Sequence, residues 1–172
     1  MLRVRPYRQG DAKTIVTWCK DKETFYKWSA GILGDYPISA QKMEDATMGR
    51  LDNARYFPFV AVEEGDVVGF FTLRHPDESD EELRFGFVIV SPDVRGKGYG
   101  KKMLQLGLKF VFEVYGAKKA SLGVFENNSA AYQCYKTVGF RENEQIDWYN
   151  LNGEKWKCIE MELSVMQVFS KE

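Results

Sequence analysis

A glycine-rich run between two predicted elements contains the residue types that bind phosphate. The run is Arg95-Gly96-Lys97-Gly98-Tyr99-Gly100, and the sequence predicts an apolar strand before it and a helix after it. Glycine lets several backbone N–H groups approach an anion, and the N-terminus of a helix adds partial positive charge. Lys101 and Lys102 follow directly and add two cations. The run therefore predicts an anion site, with a tight turn that binds nothing as the alternative.

The spacing of these glycines does not match two common nucleotide-binding loops. The NTPase loop requires GxxxxGK[ST], and alignment on Gly100-Lys101 puts Arg95 at its first glycine and Lys102 at its Mg²⁺-binding hydroxyl. The dinucleotide fingerprint GxGxxG, started at Gly96, requires a third glycine where the sequence has Lys101. An NTPase and a dinucleotide enzyme are both disfavoured.

A second motif lies on a predicted helix that begins after Asn128 and ends at Gly139. Its apolar positions are spaced i, i+3, i+4 and i+7, and they are Ala131, Cys134, Tyr135 and Val138. In this order the two motifs resemble the GNAT superfamily of N-acetyltransferases, whose signatures are Q/R-x-x-G-x-G/A and N-x-x-A-x-x-x-Y-x-x-x-G-F. The second signature is matched by Asn128, Ala131, Tyr135 and Gly139-Phe140. The resemblance covers roughly residues 56–163.

The rest of the chain predicts the elements that position these motifs. Strands are predicted at residues 2–7, 57–62, 67–73, 83–90 and 120–125, and a strand pair after residue 140 turns at Asn152-Gly153. The resemblance implies a single α/β (α+β) domain over residues 1–172. It has a mixed, mostly antiparallel sheet of six to seven strands, about four helices on both faces and a splayed central parallel strand pair. Whether residues after Leu163 extend the last strand or fray is left open.

The resemblance also implies a set of residues that bind acetyl-CoA. In this family the pyrophosphate binds the glycine-rich loop, a role that falls on Arg95, Gly96, Lys97, Gly98, Tyr99, Gly100 and Lys101. The pantetheine arm bonds between the splayed strands like an added strand, which implicates the backbone of Val88, Ile89 and Val90. Asn128 matches a position that touches the arm, and it is equally a helix cap. One histidine and three scattered cysteines give no metal-ligand spacing, so no metal is predicted.

Tyr135 is the predicted catalytic acid. Acyl transfer to an amine passes through an oxyanion, which requires a positioned donor, and expels the CoA thiolate, which requires a proton. Tyr135 resembles the family's tyrosine in the second role. A phenol has an ordinary pKa near ~10 and a thiol one near ~8.5, so donation at neutral pH is feasible. The alternative is that Tyr135 only packs, because it lies on the apolar stripe of its helix.

The general base is not defined by the sequence. Family members often have an acid near the position of Arg84, and this chain departs from that pattern. Glu82 is one candidate because strand alternation puts it on the same face as Arg84. Glu126 and a chain of waters are the others. His75, the only histidine, is predicted to be a solvent-exposed turn residue next to the acidic residues at 77–82.

The acceptor is predicted to be a primary amine, on a small molecule or a protein N-terminus, acetylated in a ternary complex. The pattern is similar to the ribosomal-protein alanine acetyltransferase branch, and small amines, aminoglycosides and polyamines stay open. Aromatic candidates for the pocket are Trp18, Phe25, Tyr26, Trp28, Tyr36, Tyr56, Trp148 and Tyr149. Each of these is equally a core residue. The acidic residues at 77–82 form either a solvated hairpin loop or an acidic lip that attracts amines.

Composition restricts the cellular context. A net charge of −1 and a pI of about 6.0 do not favour nucleic acid or a membrane surface as partner. No run approaches eighteen apolar residues, and Cys19, Cys134 and Cys158 are predicted to be reduced thiols of a cytoplasmic protein. A homodimer is possible. The alternative function is a non-catalytic acyl-CoA-binding sensor or an inactive acetyltransferase paralogue, which the departure at Arg84 favours.

Overall fold

The computed structural model describes residues 1–166, whose seven strands form one sheet. The strands are β1 (Arg3–Pro6), β2 (Tyr56–Glu63), β3 (Asp66–Arg74), β4 (Glu82–Val90), β5 (Lys119–Phe125), β6 (Arg141–Leu151) and β7 (Glu154–Ser164). Their order is β1-β2-β3-β4-β5-β7-β6, and only the β4–β5 pair is parallel. The mixed, mostly antiparallel sheet is therefore confirmed. The open question about the residues after Leu163 falls partly on residues 167–172, which lie outside the described residues.

Five helices cover the two faces of this sheet. They are α1 (Ala12–Ile15), α2 (Lys22–Ser29), α3 (Ala40–Met48), α4 (Tyr99–Lys109) and α5 (Ser129–Val138). A 3₁₀ turn at Val16–Trp18 continues α1, and a π-helical turn at Phe110–Tyr115 continues α4. No helix within residues 1–166 is long and apolar enough to cross a membrane.

Two apolar cores lie on opposite sides of the sheet. Helices α1–α3 bury Ile15, Phe25 and Met43 together with Phe70 of β3. Helices α4 and α5 bury another set against the opposite face, which includes Phe71, Phe85, Leu104, Tyr135 and Phe140. The predicted helices on both faces are thus confirmed, and the functional motifs belong to the α4–α5 side.

A bulge interrupts β4 in its second half. Gly86 pairs with Thr72 and Ile89 pairs with Phe70, so Phe87 and Val88 together lie opposite the single residue Phe71. Phe87 has a φ of 51°, in the left-handed region that non-glycine residues seldom occupy. The extra residue shifts the alternation of side chains. Before the bulge the odd-numbered residues of β4 face α4 and α5, and after it Ile89 faces α1–α3.

The parallel pair β4–β5 separates shortly after it begins. Backbone pairing is limited to Glu82 with Lys119, Leu83 with Ala120 and Arg84 with Ser121. Beyond this point the described residues of β4 and β5 have no pairing with each other. Because a bulge bends its strand, it turns the second half of β4 away from β5. The splayed central pair predicted from the resemblance is confirmed.

Candidate functional site

The glycine-rich loop joins the splayed end of β4 to the first turn of α4. Gly96 and Gly98 have φ values of 75° and 81°, which glycine adopts without a steric penalty. A Cβ on either one would meet no atom within 4 Å, so both backbones border open space. No side chain caps α4, whose first turn begins at Tyr99. Backbone N–H groups at this helix start therefore remain available to an anion.

Cations surround this loop. Arg95, Lys97 and Lys101 are exposed, and the Lys97 ammonium donates to the backbone oxygen of Asp93 at 2.9 Å. The positive charge of Arg95 also acts on Cys19, whose pKa burial raises to about 12 despite that charge. The cations named from the sequence therefore lie exposed at this loop, and anion binding there stays a prediction.

The backbone conformation of Gly98 leads to a prediction about acetyl-CoA. Gly98→Val forces a β-branched side chain into a left-handed conformation and fills the space that borders the loop. We expect the affinity for acetyl-CoA to fall by about tenfold or more, because a left-handed non-glycine residue costs about 1–2 kcal/mol and about 1.4 kcal/mol corresponds to tenfold in affinity. Isothermal titration calorimetry measures the Kd for acetyl-CoA. Gly65→Val, at a φ of 97° in the β2–β3 turn, is the control and should leave affinity unchanged.

Trp28 holds the bulge in β4. Its indole N–H donates to the backbone oxygen of Phe87 at 2.9 Å, and the two rings pack edge to face at 5.8 Å. This bond binds α2 to the strand next to the predicted pantetheine residues Val88, Ile89 and Val90. The sequence reasoning missed the bulge, although an isolated glycine within a strand, here Gly86, is a signal for one.

Tyr135 lies on the buried inner face of α5. Only 7% of the residue is exposed, and its ring packs against Phe140 at 6.4 Å. Its hydroxyl donates to no group among residues 1–166, and burial raises the pKa of the phenol above its ordinary value. The phenol therefore keeps its proton at neutral pH and has no internal acceptor for it. A Cβ on Gly100 would lie 3.6 Å from the Cys134 sulfur, which brings the loop and α5 together.

Asn128 caps α5. Its Oδ1 accepts a hydrogen bond from the backbone N–H of Ala131 at 3.4 Å, and α5 begins at the next residue. Asn128 is only partly buried, so the amide nitrogen of its side chain is accessible for a second partner. The cap role is therefore observed, and contact with the cofactor arm stays a prediction.

The predicted bases lie apart from this group. Glu82 is at the beginning of β4, paired with Lys119 at 3.2 Å, and six residues of strand separate it from Val88, about 20 Å. Glu126 follows the splayed end of β5, but its side chain is exposed and lies 3.7 Å from Lys157. The structure thus does not bring Glu82 to the loop, and its role as base stays a prediction that this position does not favour.

The prediction for His75 is wrong. The residue is 8% exposed and packs against the rings of Phe57 and Tyr115, with centroids 6.3 and 5.0 Å away. Its backbone N–H donates to the backbone oxygen of Arg55, just before β2. This bond continues the β2–β3 pairing for one residue beyond the end of β3. The imidazole therefore points into the protein. Within residues 1–166 neither ring nitrogen has a hydrogen-bond partner. The acidic residues that follow lie in the exposed β3–β4 connection, as expected for a solvated loop.

An ion pair that the sequence reasoning missed lies where β4 and β5 separate. The Arg84 guanidinium donates to both carboxylate oxygens of Glu160 on β7, at 2.6 and 3.0 Å. The Glu160 side chain is 8% exposed and that of Arg84 is 21% exposed. Burial lowers the pKa of Arg84, and the bonds and charge of Glu160 more than reverse this and raise it. The only signal in the sequence is the two-residue period that puts Glu160 on one face with Trp156 and Cys158.

The aromatic residues predicted to form the acceptor pocket lie in different environments in the structure. Trp28 and Tyr56 line a narrow cleft between α2, α3 and the sheet, together with Arg50 and Phe87. Trp18, Phe25 and Tyr26 belong to the buried core. Trp148 is 56% exposed on the edge strand β6. Among residues 1–166 no group of three metal-ligating side chains is close enough to hold an ion.

Comparisons with known proteins agree with this geometry. The model of the acetyltransferase (GNAT) family matches residues 15–140. A spermine/spermidine N(1)-acetyltransferase from Bacillus subtilis is 37% identical over 105 residues, which are 58% of this chain and 67% of the relative. An N-alpha-acetyltransferase from Sulfurisphaera tokodaii is 32% identical over 105 residues, 56% of this chain and 63% of that protein.

The fold also matches solved structures. A spermidine N-acetyltransferase from Vibrio cholerae, crystallised with CoA and spermine, superposes with a TM-score of 0.82 over 98% of each chain, at 18% identity. At this identity the likeness concerns the fold.

Proposed function

This chain belongs to the acetyltransferase (GNAT) family and transfers the acetyl group of acetyl-CoA to an amine, and we propose that the acceptor is a small-molecule primary amine. Transfer is direct, within a ternary complex. One observation carries the proposal: the open glycine loop follows the unpaired half of β4, and α5, which bears Tyr135, lies against the first turn of α4, where a Cβ on Gly100 would be 3.6 Å from the Cys134 sulfur. The names of the B. subtilis relatives support a small acceptor, while the archaeal relative keeps a protein N-terminus as the alternative.

The glycine loop and the splayed strands would bind different parts of acetyl-CoA. The backbone N–H groups from Gly96 to Gly100 and the cations at Arg95, Lys97 and Lys101 would bind the pyrophosphate. The edge of β4 at Val88, Ile89 and Val90, which has no strand partner on its β5 side, would hydrogen-bond to the pantetheine arm.

Tyr135 is the residue that we propose acts on the leaving group. When the neutral amine nitrogen bonds to the acetyl carbon, the carbon–sulfur bond breaks, the sulfur takes the electron pair, and the nitrogen releases one proton to the solvent. The Tyr135 hydroxyl then donates its proton to that sulfur, since it has no other acceptor among residues 1–166. Because burial raises its pKa, the phenol recovers a proton readily after each turnover. We assign no residue as base.

Self-association and cellular location stay predictions. The edge strand β6 is exposed along most of its length, including Ile146 at 48% and Trp148 at 56%, which supports the possible homodimer.

All three cysteines are unpaired thiols, which supports a cytoplasmic location.

Thermal unfolding with and without acetyl-CoA tests the cofactor, with ATP and NAD as controls. At a hundredfold excess over Kd, a ligand that binds only the folded state adds about 2.7 kcal/mol to the free energy of unfolding. For a chain of this size we expect Tm to rise by several degrees. Release of CoA thiol in the presence of a panel of primary amines then tests transfer. A rise with ATP alone, or an absence of thiol release with every amine, would contradict the proposed function.

A further inference from the structure

Two arginines lie side by side next to the proposed site. Arg74 on β3 is the direct partner of Arg84 on β4, and Tyr56 on β2 is the direct partner of Arg74. Directly paired residues point to the same face of a sheet, which here is the face covered by α1–α3. Like charges in such a pair repel each other, so an arrangement of this kind is normally balanced by a nearby carboxylate.

The available carboxylate balances only one of these arginines. Glu160 is bound through both oxygens to Arg84. Among residues 1–166 no carboxylate lies within ion-pair distance of Arg74, or of Arg50, whose guanidinium lies over the Tyr56 ring at 5.8 Å. Partial burial and the charges of Arg84 and Arg50 lower the pKa of Arg74, and the charges of Tyr149 and Glu160 reverse only part of this. The charged groups that act on Arg74 thus include two arginines and one carboxylate, so positive charge exceeds negative charge at this point.

The other acidic side chains on this face either form ion pairs with other residues or do not act on Arg74. Glu82 and Glu162 both contact Lys119, at 3.2 and 3.6 Å. Asp147 on β6 is exposed and raises the pKa values of Tyr149 and Cys158, but it is not among the groups that act on Arg74. The carboxylate that acts on Arg74 is thus Glu160, which is already bound to Arg84.

A buried hydroxyl beside the arginines also lacks a partner. Ser121 on β5 pairs with Arg84 in the last rung before the strands separate. The residue is 4% exposed, and its Oγ has no hydrogen-bond partner within residues 1–166. Buried hydroxyl groups are normally hydrogen-bonded, so this one is an exception. The Arg74 guanidinium and the Ser121 hydroxyl, which both lack a hydrogen-bond partner within residues 1–166, therefore lie on the same face of the sheet, where β4 and β5 begin to separate.

The distance to the reacting end of the site fits a small molecule. Four residues of β4 separate Arg84 from Val88, a span of about 13 Å along the strand. Gly86 occupies the intermediate position and has no side chain to fill the floor of this span.

We infer that the acceptor amine carries a carboxylate, bound by Arg74 at the end of the molecule away from the reacting nitrogen. The inference rests on the proposed function and specifies its substrate class. A guanidinium binds a carboxylate through two parallel charge-assisted hydrogen bonds. A polyamine, which is cationic along its whole length, meets repulsion from Arg74 and Arg50 at this point. The acceptor of this enzyme therefore differs in charge from the acceptors named for its B. subtilis relatives.

Matched pairs of amines test this inference. Ornithine and putrescine differ only in a carboxylate, as do tyrosine and tyramine, and kcat/KM for each is measured by CoA thiol release. We expect at least one amino acid to exceed its decarboxylated partner by about tenfold or more, the usual value of a charge-assisted hydrogen bond. Higher kcat/KM for putrescine and tyramine overturns the inference and leaves the acetyltransferase proposal intact. No thiol release with any of the four, nor with spermidine, overturns both.

Arg74→Gln identifies the residue responsible. Its side chain is exposed and unpaired within residues 1–166, so the variant should fold. We expect KM for the preferred amino acid to rise about 10- to 100-fold, with kcat changed less, and kcat/KM for the decarboxylated partner to hold or rise. Arg8→Gln, in the exposed turn before α1, is the matched control and should leave both values unchanged. An equal loss for both members of a pair would contradict carboxylate recognition by Arg74.

Discussion

Tyr135→Phe should lower kcat about 10²-fold while the Kd for acetyl-CoA stays within twofold, since a positioned acid contributes about 10²–10⁴-fold. The substitution keeps the ring that packs against Phe140 and removes only a hydroxyl with no partner among residues 1–166. Stability should therefore change by less than about 0.5 kcal/mol. Steady-state thiol release gives kcat, titration gives Kd, and urea unfolding gives the stability.

The control is Tyr132→Phe on the same helix. Tyr132 is half-buried, and the Lys136 ammonium lies 5.6 Å from the centre of its ring, so the variant loses a hydroxyl at a comparable site. It should retain full turnover. Unchanged kcat in Tyr135→Phe would leave Tyr135 with only its packing role. A matching fall in both variants would point to a general disturbance of α5.

Arg84→Met should cost about 3–5 kcal/mol of unfolding free energy, because it leaves a buried carboxylate without its partner. Glu160 has an 8% exposed side chain and is bound at 2.6 and 3.0 Å by Arg84, and the Cys158 thiol also donates to it, at 3.8 Å. The carboxylate must stay charged in a site with little water or take up a proton. Urea denaturation at neutral pH measures the loss.

Two further variants show whether the loss of unfolding free energy in Arg84→Met arises from the buried position of the ion pair or from the loss of a charge alone. Lys118→Met breaks the ion pair with Glu81, whose side chains are 71% and 65% exposed, and should cost no more than about 1 kcal/mol. Arg84→Met combined with Glu160→Leu removes both charges and should recover most of the lost stability. If Arg84→Met were no more costly than Lys118→Met, the pair would not be the structural element described above. This role gives Arg84 a structural reason to replace the acid that is common in the family.

Local sequence patterns determined the elements and the two motifs. Glycines at 96 and 98 predicted a loop whose backbone can approach an anion, and both border open space with positive φ values. Asn128 predicted a helix start, because its side chain replaces a missing backbone bond, and its Oδ1 does so. The apolar run at 83–90 predicted a central strand, because both of its faces had to be covered. Each inference depended on neighbours within a few residues.

Only the tertiary structure decided which distant residues meet. Arg84 and Glu160 are 76 positions apart, and they pair because β7 lies between β5 and β6 and its register puts Glu160 opposite Gly123. A side chain at Gly123 would collide with the guanidinium at 2.9 Å, a constraint that appears in no local pattern. The inward turn of His75 and the bulge at Phe87, held by Trp28, have the same origin. Strand order and register arise from the packing of the whole chain, and a linear pattern of residue types does not encode them.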